Sequence, residues 1–255
     1  MKDLGLVLGV VLVTAACGGT AAEEAMRSQK EYELAVGLMN EQNLPGAFDH
    51  LFKAVELDPD NAEAHLLLGN LFMMRREDAR AEHHLRESLR LREVAHGPTA
   101  DAHNSLGVLY IHAGRYDDAI RELRKAAGDL TNREPHLAFG NLGWAYQKKG
   151  AYRDAVQALQ QSVTRQPRFC VGFLRLGETY LAMGDSTRAE QALTQCLEVD
   201  DPQCQALQEA WHLRGQARAR LGHREDAVAD FERCVELEAQ SDTGRACRRF
   251  LEAGH

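Results

Sequence analysis

Apolar residues recur along this chain in short runs at helical spacing, and the runs themselves recur. Gly69, Gly107, Gly143, Gly177 and Gly215 each follow a short apolar stretch, and twelve residues after each stands an alanine: Ala81, Ala119, Ala155, Ala189 and Ala227. Four residues on come Leu85, Leu123, Leu159, Leu193 and Phe231, and three further a small side chain: Ser88, Ala126, Ser162, Cys196 and Cys234. A less regular first copy sets Ala35, Ala47, Leu51, Ala54 and Pro59 in the same frame. Self-similarity of this size marks a repeat architecture rather than a single layered core. Each copy reads as two helices, A and B, with Gly114, Gly150, Gly184 and Gly222 in the turns between them.

These residues resemble the tetratricopeptide repeat (TPR), in which small side chains let two antiparallel helices approach closely. Repeats start near Ser28, Ala62, Ala100, His136, Cys170 and Gln208, at spacings of 34, 38, 36, 34 and 38 residues. Aromatics at the fourth position (Phe139, Phe173, Trp211) and tyrosines at the eleventh (Tyr110, Tyr146, Tyr180) keep the same register. The resemblance implies an all-α fold: a right-handed superhelical solenoid of six TPR helix pairs spanning residues 28–255. Each pair leaves an apolar face that the next one covers, and the stack needs a solubilising end. Residues 242–255 supply one as a short C-terminal capping helix, with Arg245, Arg248 and Arg249 set against Cys247, Phe250 and Leu251.

TPR proteins of this kind bind partners in a concave groove lined by A helices, chiefly at repeat positions 2, 5, 9 and 12. Those positions place Tyr32, Val36, Met39, Leu66, Met73, Asn104, Val108, Ile111, Leu137, Trp144, Val171, Leu174 and Leu181 along the groove. The same helices already bury their other side, and a helix apolar on both sides needs a second burial partner. Two arrangements satisfy it: a partner segment lying in an apolar groove, or coverage by neighbouring repeats and the N-terminal segment. Position 2 reads Gln29, Glu63, Asp101, Leu137, Val171 and Glu209, without the lysine that clamps a chaperone's terminal carboxylate.

Composition narrows the function classes. The net charge of -8 and the lack of a basic stripe argue against nucleic acid. Eleven histidines raise the question of a metal site, but His83-His84 has no ligand at useful spacing, and His65 and His103 fall at position 4, where later repeats carry Phe or Trp. No phosphate loop or linked Ser, His and Asp set stands out. The expectation is a non-enzymatic, monomeric binding protein without metal or cofactor.

Lys2, an apolar run from Leu4 to Val13, and Thr14-Ala15-Ala16-Cys17 fit a signal peptide over 1–16. The end of that segment resembles the bacterial lipobox, which implies lipidation of Cys17 and a short lipidated tether over 17–27. Export makes disulfides possible for the remaining five cysteines. Cys196 and Cys234 share position 27, and each is followed past a linker by another cysteine, which suggests Cys196–Cys204 and Cys234–Cys247. Cys170–Cys204, one repeat apart, is the competing pairing, and an unbridged cysteine that simply fills position 27 is the third possibility.

A lipidated cysteine followed by six TPRs resembles the type IV pilus pilotins, the Tgl, PilF and PilW group. The Ala- and Arg-rich character, with Tyr110, Trp144 and Tyr180 in place, points to the Tgl branch of that group. The resemblance implies a lipoprotein anchored in the outer membrane, facing the periplasm, that binds secretin subunits and promotes assembly of the secretin ring. Two rivals share the architecture: an adaptor for cell-wall hydrolases or proteases, and a permanent part of an envelope assembly machine.

Overall fold

The computed structural model describes the backbone of residues 14–253 and the side chains of residues 20–253. Residues 1–13 of the expected signal segment, and the side chain of Cys17 that was expected to carry a lipid, lie outside those descriptions. Fourteen helices and no strand occur among the described residues. They divide into two compact units between Gly97 and Pro98. The first unit pairs α1 (Thr14–Asn40) with α2 (Leu44–Leu57) and α3 (Ala62–Met74) with α4 (Asp78–Val94). The second pairs α5 (Ala100–His112) with α6 (Tyr116–Gly128), and α7 (Pro135–Lys149) with α8 (Tyr152–Arg165). It continues with α9 (Cys170–Ala182) against α10 (Ser186–Glu198), a short α11 (Pro202–Gln205), α12 (Gln208–Leu221) against α13 (Arg224–Leu237), and α14 (Asp242–Glu252). The stretch expected as a tether is helical, because α1 runs from Thr14 straight into the first A helix. No helix among the described residues is long and apolar enough to cross a membrane.

Five of the six A–B pairs share one steric interlock. A Cβ added to Gly107, Gly143 or Gly177 would sit 2.4 Å from Cγ of Leu123, Leu159 or Leu193, and one on Gly69 2.6 Å from Leu85. The four leucines are fully buried. In the last repeat Phe231 takes the leucine's place, 2.8 Å from such a Cβ on Gly215. In these five pairs the glycine lets the B-helix side chain reach the A-helix backbone with no space for a further methyl, while the first pair carries a fully buried Ala35 at the same station. The A–B turns need a left-handed residue: Gly114, Gly150, Gly184 and Gly222 supply it in the second unit, but Gln42 and Arg76 adopt φ of 61° and 60° in the first.

A second device recurs where A begins and B ends. Ser28 Oγ donates to the Ala54 carbonyl, Ser88 Oγ to that of Ala62, and Ser162 Oγ to that of His136, each at 2.7 Å. Gln208 Nε2 does the same to the Cys234 carbonyl at 2.7 Å. In the fifth repeat both stations are cysteines, Cys170 and Cys196, and here the expected Cys196–Cys204 bridge is corrected. The linker after α10 folds back as α11 and brings Cys204 to the start of α9, where it bonds Cys170 with Cα atoms 5.7 Å apart. Cys196 stays a free, fully buried thiol, pushed up to about 12 by burial. Cys234 is bonded to Cys247, which fastens α14 to α13.

Position 4 of the first three repeats carries polar A–B pairs, although His65 and His103 were expected only to pack. Glu31 meets His50 at 2.5 Å and His103 meets Glu122 at 2.7 Å. His65 Nδ1 lies 3.0 Å from His84 Nδ1, while His65 Nε2 donates to the Pro59 carbonyl at 3.2 Å, so His84 supplies the proton between the rings. The His84 ring also stacks on Phe72. Burial, then the neighbouring His65, His83 and Arg80, lower His84 to about 4, and burial lowers His65 as well.

Two outcomes follow for stability. Gly143→Ala should lower it by about 1–3 kcal/mol, read as a denaturant midpoint shift at unchanged slope, because Leu159 has no room to retreat. For His84, the unfolded chain takes up a proton below the ordinary 6.5 while the folded state refuses it until about 4. Stability therefore drops as pH falls through that window. A melting series from pH 7 to pH 5 should show a shallower decline for His84→Phe than for the parent chain.

Candidate protein-binding groove

The candidate residues fall on the A helices, and each unit presents its own face. In the first, Tyr32, Val36 and Met39 on α1 and Leu66 and Met73 on α3 are all half-buried. Burial, then the Glu63 carboxylate, raise the Tyr32 hydroxyl above its ordinary value. Glu63 in turn accepts from the buried Arg92 at 2.5 Å. The expectation was an apolar face, and these five side chains share it with the Glu63–Arg92 ion pair that acts on Tyr32.

The second unit departs from that expectation. Ile111 and Leu174 are buried, and Leu181 packs on the core formed by Leu159, Leu176 and Tyr180. Val108, Leu137 and Val171 remain half-buried on the surface. The centre of the face is polar and built around Trp144. The Arg175 guanidinium lies over its ring at 4.1 Å, and the His112 ring meets it edge-on at 5.3 Å. Asn141 Nδ2 donates to Asn104 Oδ1 at 3.0 Å, and Gln147 Nε2 to Glu178 Oε2 at 3.3 Å. The helical period explains the difference: positions 2, 6, 9 and 13 lie along one line of an A helix, while 5 and 12 stand on its flanks. Asn141 and Arg175 occupy position 6 and His112 position 13, three residues that the groove positions chosen from the sequence did not include.

This arrangement holds charge in a half-desolvated place. Burial pushes the Glu178 carboxyl up, and the Glu209 carboxylate pushes it further; burial pushes the Arg175 guanidinium down. Both would shed part of that penalty against a partner bringing complementary charge and hydrogen bonds.

A hollow outside the groove also went unread in the sequence. Phe48, Phe52, Leu71, Phe72 and Met74 line about 620 Å³ in the first unit, with Arg75 and Arg80 over the Phe48 and Phe72 rings at 5.0 and 5.4 Å. At the equivalent station of the second unit the space is closed by polar contacts: Arg124 donates to the Tyr146 hydroxyl at 2.6 Å, and Gln160 to that of Tyr180 at 3.3 Å. The sequence signal was present, since Phe52 stands where Arg124 and Gln160 stand, and Phe72 where the tyrosines do. Among the described residues no cluster of three or more His, Cys, Asp or Glu is arranged to hold a metal ion.

Family models described as tetratricopeptide repeat match residues 32–98 and 79–135, 138–170, and 172–202 and 208–241. Among curated proteins, type IV pilus assembly protein PilF of Pseudomonas aeruginosa is 30% identical over 111 residues, 44% of this chain and 42% of PilF. DnaJ homolog subfamily C member 7 of Mus musculus is 28% identical over 134 residues, 52% of this chain and 26% of that protein. These matches thus span less than half the length of either relative. The solved structure of PilW, described as a widely conserved type IV pilus biogenesis factor, superposes with a TM-score of 0.76 at 21% identity, covering 86% of this chain and 97% of that one. The P. aeruginosa PilF structure gives 0.74 at 19% identity, covering 89% and 99%. At these identities the superpositions show the fold.

Replacing Glu178 by Gln keeps the acceptor for Gln147 and removes the desolvated charge. A raised carboxyl binds its proton more tightly folded than unfolded, so its ionisation costs stability at neutral pH, and the cost fades as pH falls through its folded value. Glu178→Gln should therefore melt higher than the parent at pH 7, with the gap narrowing at lower pH. Equal melting at pH 7 would show that the carboxylate carries no such penalty.

Proposed function

Because the chain belongs to the tetratricopeptide repeat family, we propose that it is a protein-binding factor of type IV pilus biogenesis, acting as a pilotin for secretin subunits. The observation that carries this reading is the superposition of nearly the whole PilW and PilF structures on this chain, alongside the 30% identity to PilF. The two A-helix faces are the binding surfaces: an apolar one around Val36 and Met73, and a polar one around Trp144, Arg175 and Glu178. A partner segment laid along the polar face would bury the aromatic ring and satisfy the desolvated charges together. In this reading Cys17 carries the lipid that holds the protein at the outer membrane, facing the periplasm. The Ala- and Arg-rich character with Tyr110, Trp144 and Tyr180 supports the Tgl branch of the pilotin group.

The test is the heat- and detergent-resistant secretin multimer. Deleting the gene should remove it while secretin monomer persists. Cys17→Ala should move the protein out of the membrane fraction and lower multimer levels. Trp144→Ala should lower multimer while leaving fractionation unchanged. Normal multimers in the deletion strain would end the pilotin reading.

A further inference from the structure

The contact between His65 and His84 is built from different chemistry than its counterparts. At the same A–B station the first repeat sets Glu31 against His50 and the third sets His103 against Glu122, so each pairs an imidazole with a carboxylate. Of the three, the second repeat alone brings two imidazoles face to face, with their Nδ1 atoms 3.0 Å apart. Without a metal the contact is an N–H···N hydrogen bond. The same spacing also suits two ligands of one metal ion. With each nitrogen ~2.0–2.1 Å from the metal, two imidazoles stand about 2.9 Å apart at a right angle and about 3.4 Å apart at the tetrahedral angle.

The surroundings prepare both rings as ligands. His65 is 5% exposed, and its Nε2–H is held by the Pro59 carbonyl at 3.2 Å, which leaves the Nδ1 lone pair towards His84. That outer hydrogen bond is the one by which ligating histidines fix ring and tautomer. His84 is braced by Phe72, stacked at 5.4 Å. Burial lowers both imidazoles below their ordinary values, so both are neutral at pH 7, the form that ligates. The nearby charges are mixed. Arg80, Arg90 and a protonated His83 oppose a cation, while Glu87 favours one and is itself bound to Arg90 at 2.5 Å. Attraction therefore falls to the two lone pairs rather than to net charge.

We propose that His65 Nδ1 and His84 Nδ1 together bind one divalent ion of the nickel, copper and zinc series, with water in its remaining positions. Imidazole suits these ions, whereas magnesium and calcium take oxygen ligands. The site is an open one of two protein ligands, since no group of three or more His, Cys, Asp or Glu is arranged for a metal among the described residues. His84 turns its Nδ1 lone pair to the ion by losing the Nδ1 proton to solvent and taking one at Nε2, so the ring stays neutral and no net proton is released. The ion joins α3 to α4 in the unit that has no disulfide among its described residues. This goes beyond the pilotin reading and needs no partner protein.

The test is calorimetric titration of the full chain at pH 7 with Ni²⁺, Zn²⁺ and, as the oxygen-seeking control, Mg²⁺. Ni²⁺ and Zn²⁺ should each show one equivalent of micromolar affinity or tighter, and Mg²⁺ none. His84→Phe keeps a ring on Phe72 but removes both nitrogens, and it should weaken that equivalent at least tenfold. His65→Gln should do the same, with circular dichroism checking that each variant keeps the parent's helix content. His83→Gln, beside the site, and His103→Gln, at the equivalent station of the third repeat, should change the affinity less than twofold. Binding that survives in His84→Phe, binding lost in His83→Gln, or no heat with Ni²⁺ and Zn²⁺ would each overturn the proposal. None of these outcomes bears on the secretin multimer assay, so the two readings fail separately.

Discussion

Five of the six helix pairs in this fold depend on how closely two helices approach at one glycine. Where a leucine of helix B rests on the bare backbone of helix A, the pair becomes thin enough to stack, and each helix keeps one side free for other work. The hydrophobic contribution of such a leucine is on the order of 1.5–3 kcal/mol, but its geometric role is larger. It fixes how far A and B stand apart and therefore where every other position of the repeat points.

Around that constraint the two units spend their remaining positions differently. The second unit uses glycine in every A–B turn, tyrosine hydroxyls held by Arg124 and Gln160, and two disulfides. It also buries an ionic network in which Arg214 and Arg218 share Asp230, at 2.7 and 2.9 Å. The first unit has non-glycine residues in the left-handed turn positions, phenylalanines that leave a hollow, and a histidine pair that titrates. Its A-helix face groups half-buried Val36, Met39, Leu66 and Met73 beside one ion pair, where that of the second is hydrogen-bonded. One repeat pattern thus supports two chemically distinct surfaces in a single chain.

The fold was legible in the sequence because its determinants are local and periodic: Gly143, Ala155 and Leu159 announce a helix pair wherever they recur. The polar centre at Trp144 was not, since Arg175 and His112 owe their roles to a neighbouring helix and not to their own repeat. Of the cysteine pairings, Cys234–Cys247 was legible, whereas Cys196–Cys204 was not the bond formed. Cys196 and Cys204 are near in sequence, but α11 reverses the chain and delivers Cys204 to Cys170. The contact of His65 with His84 needed the structure, because each histidine looks like a packing residue of its own helix until the facing ring is seen.

The placement of the two disulfides gives the chain a mechanical polarity. Loops of 34 and 13 residues are closed in the last third of the chain, while the first unit contains no cross-link among its described residues. At ~3.4 Å per extended residue, those loops withhold about 115 and 45 Å of contour from any stretching force. A load applied to the ends would draw out the first unit's helix pairs at full length, whereas the repeats nearest the cap would yield only a shortened tether.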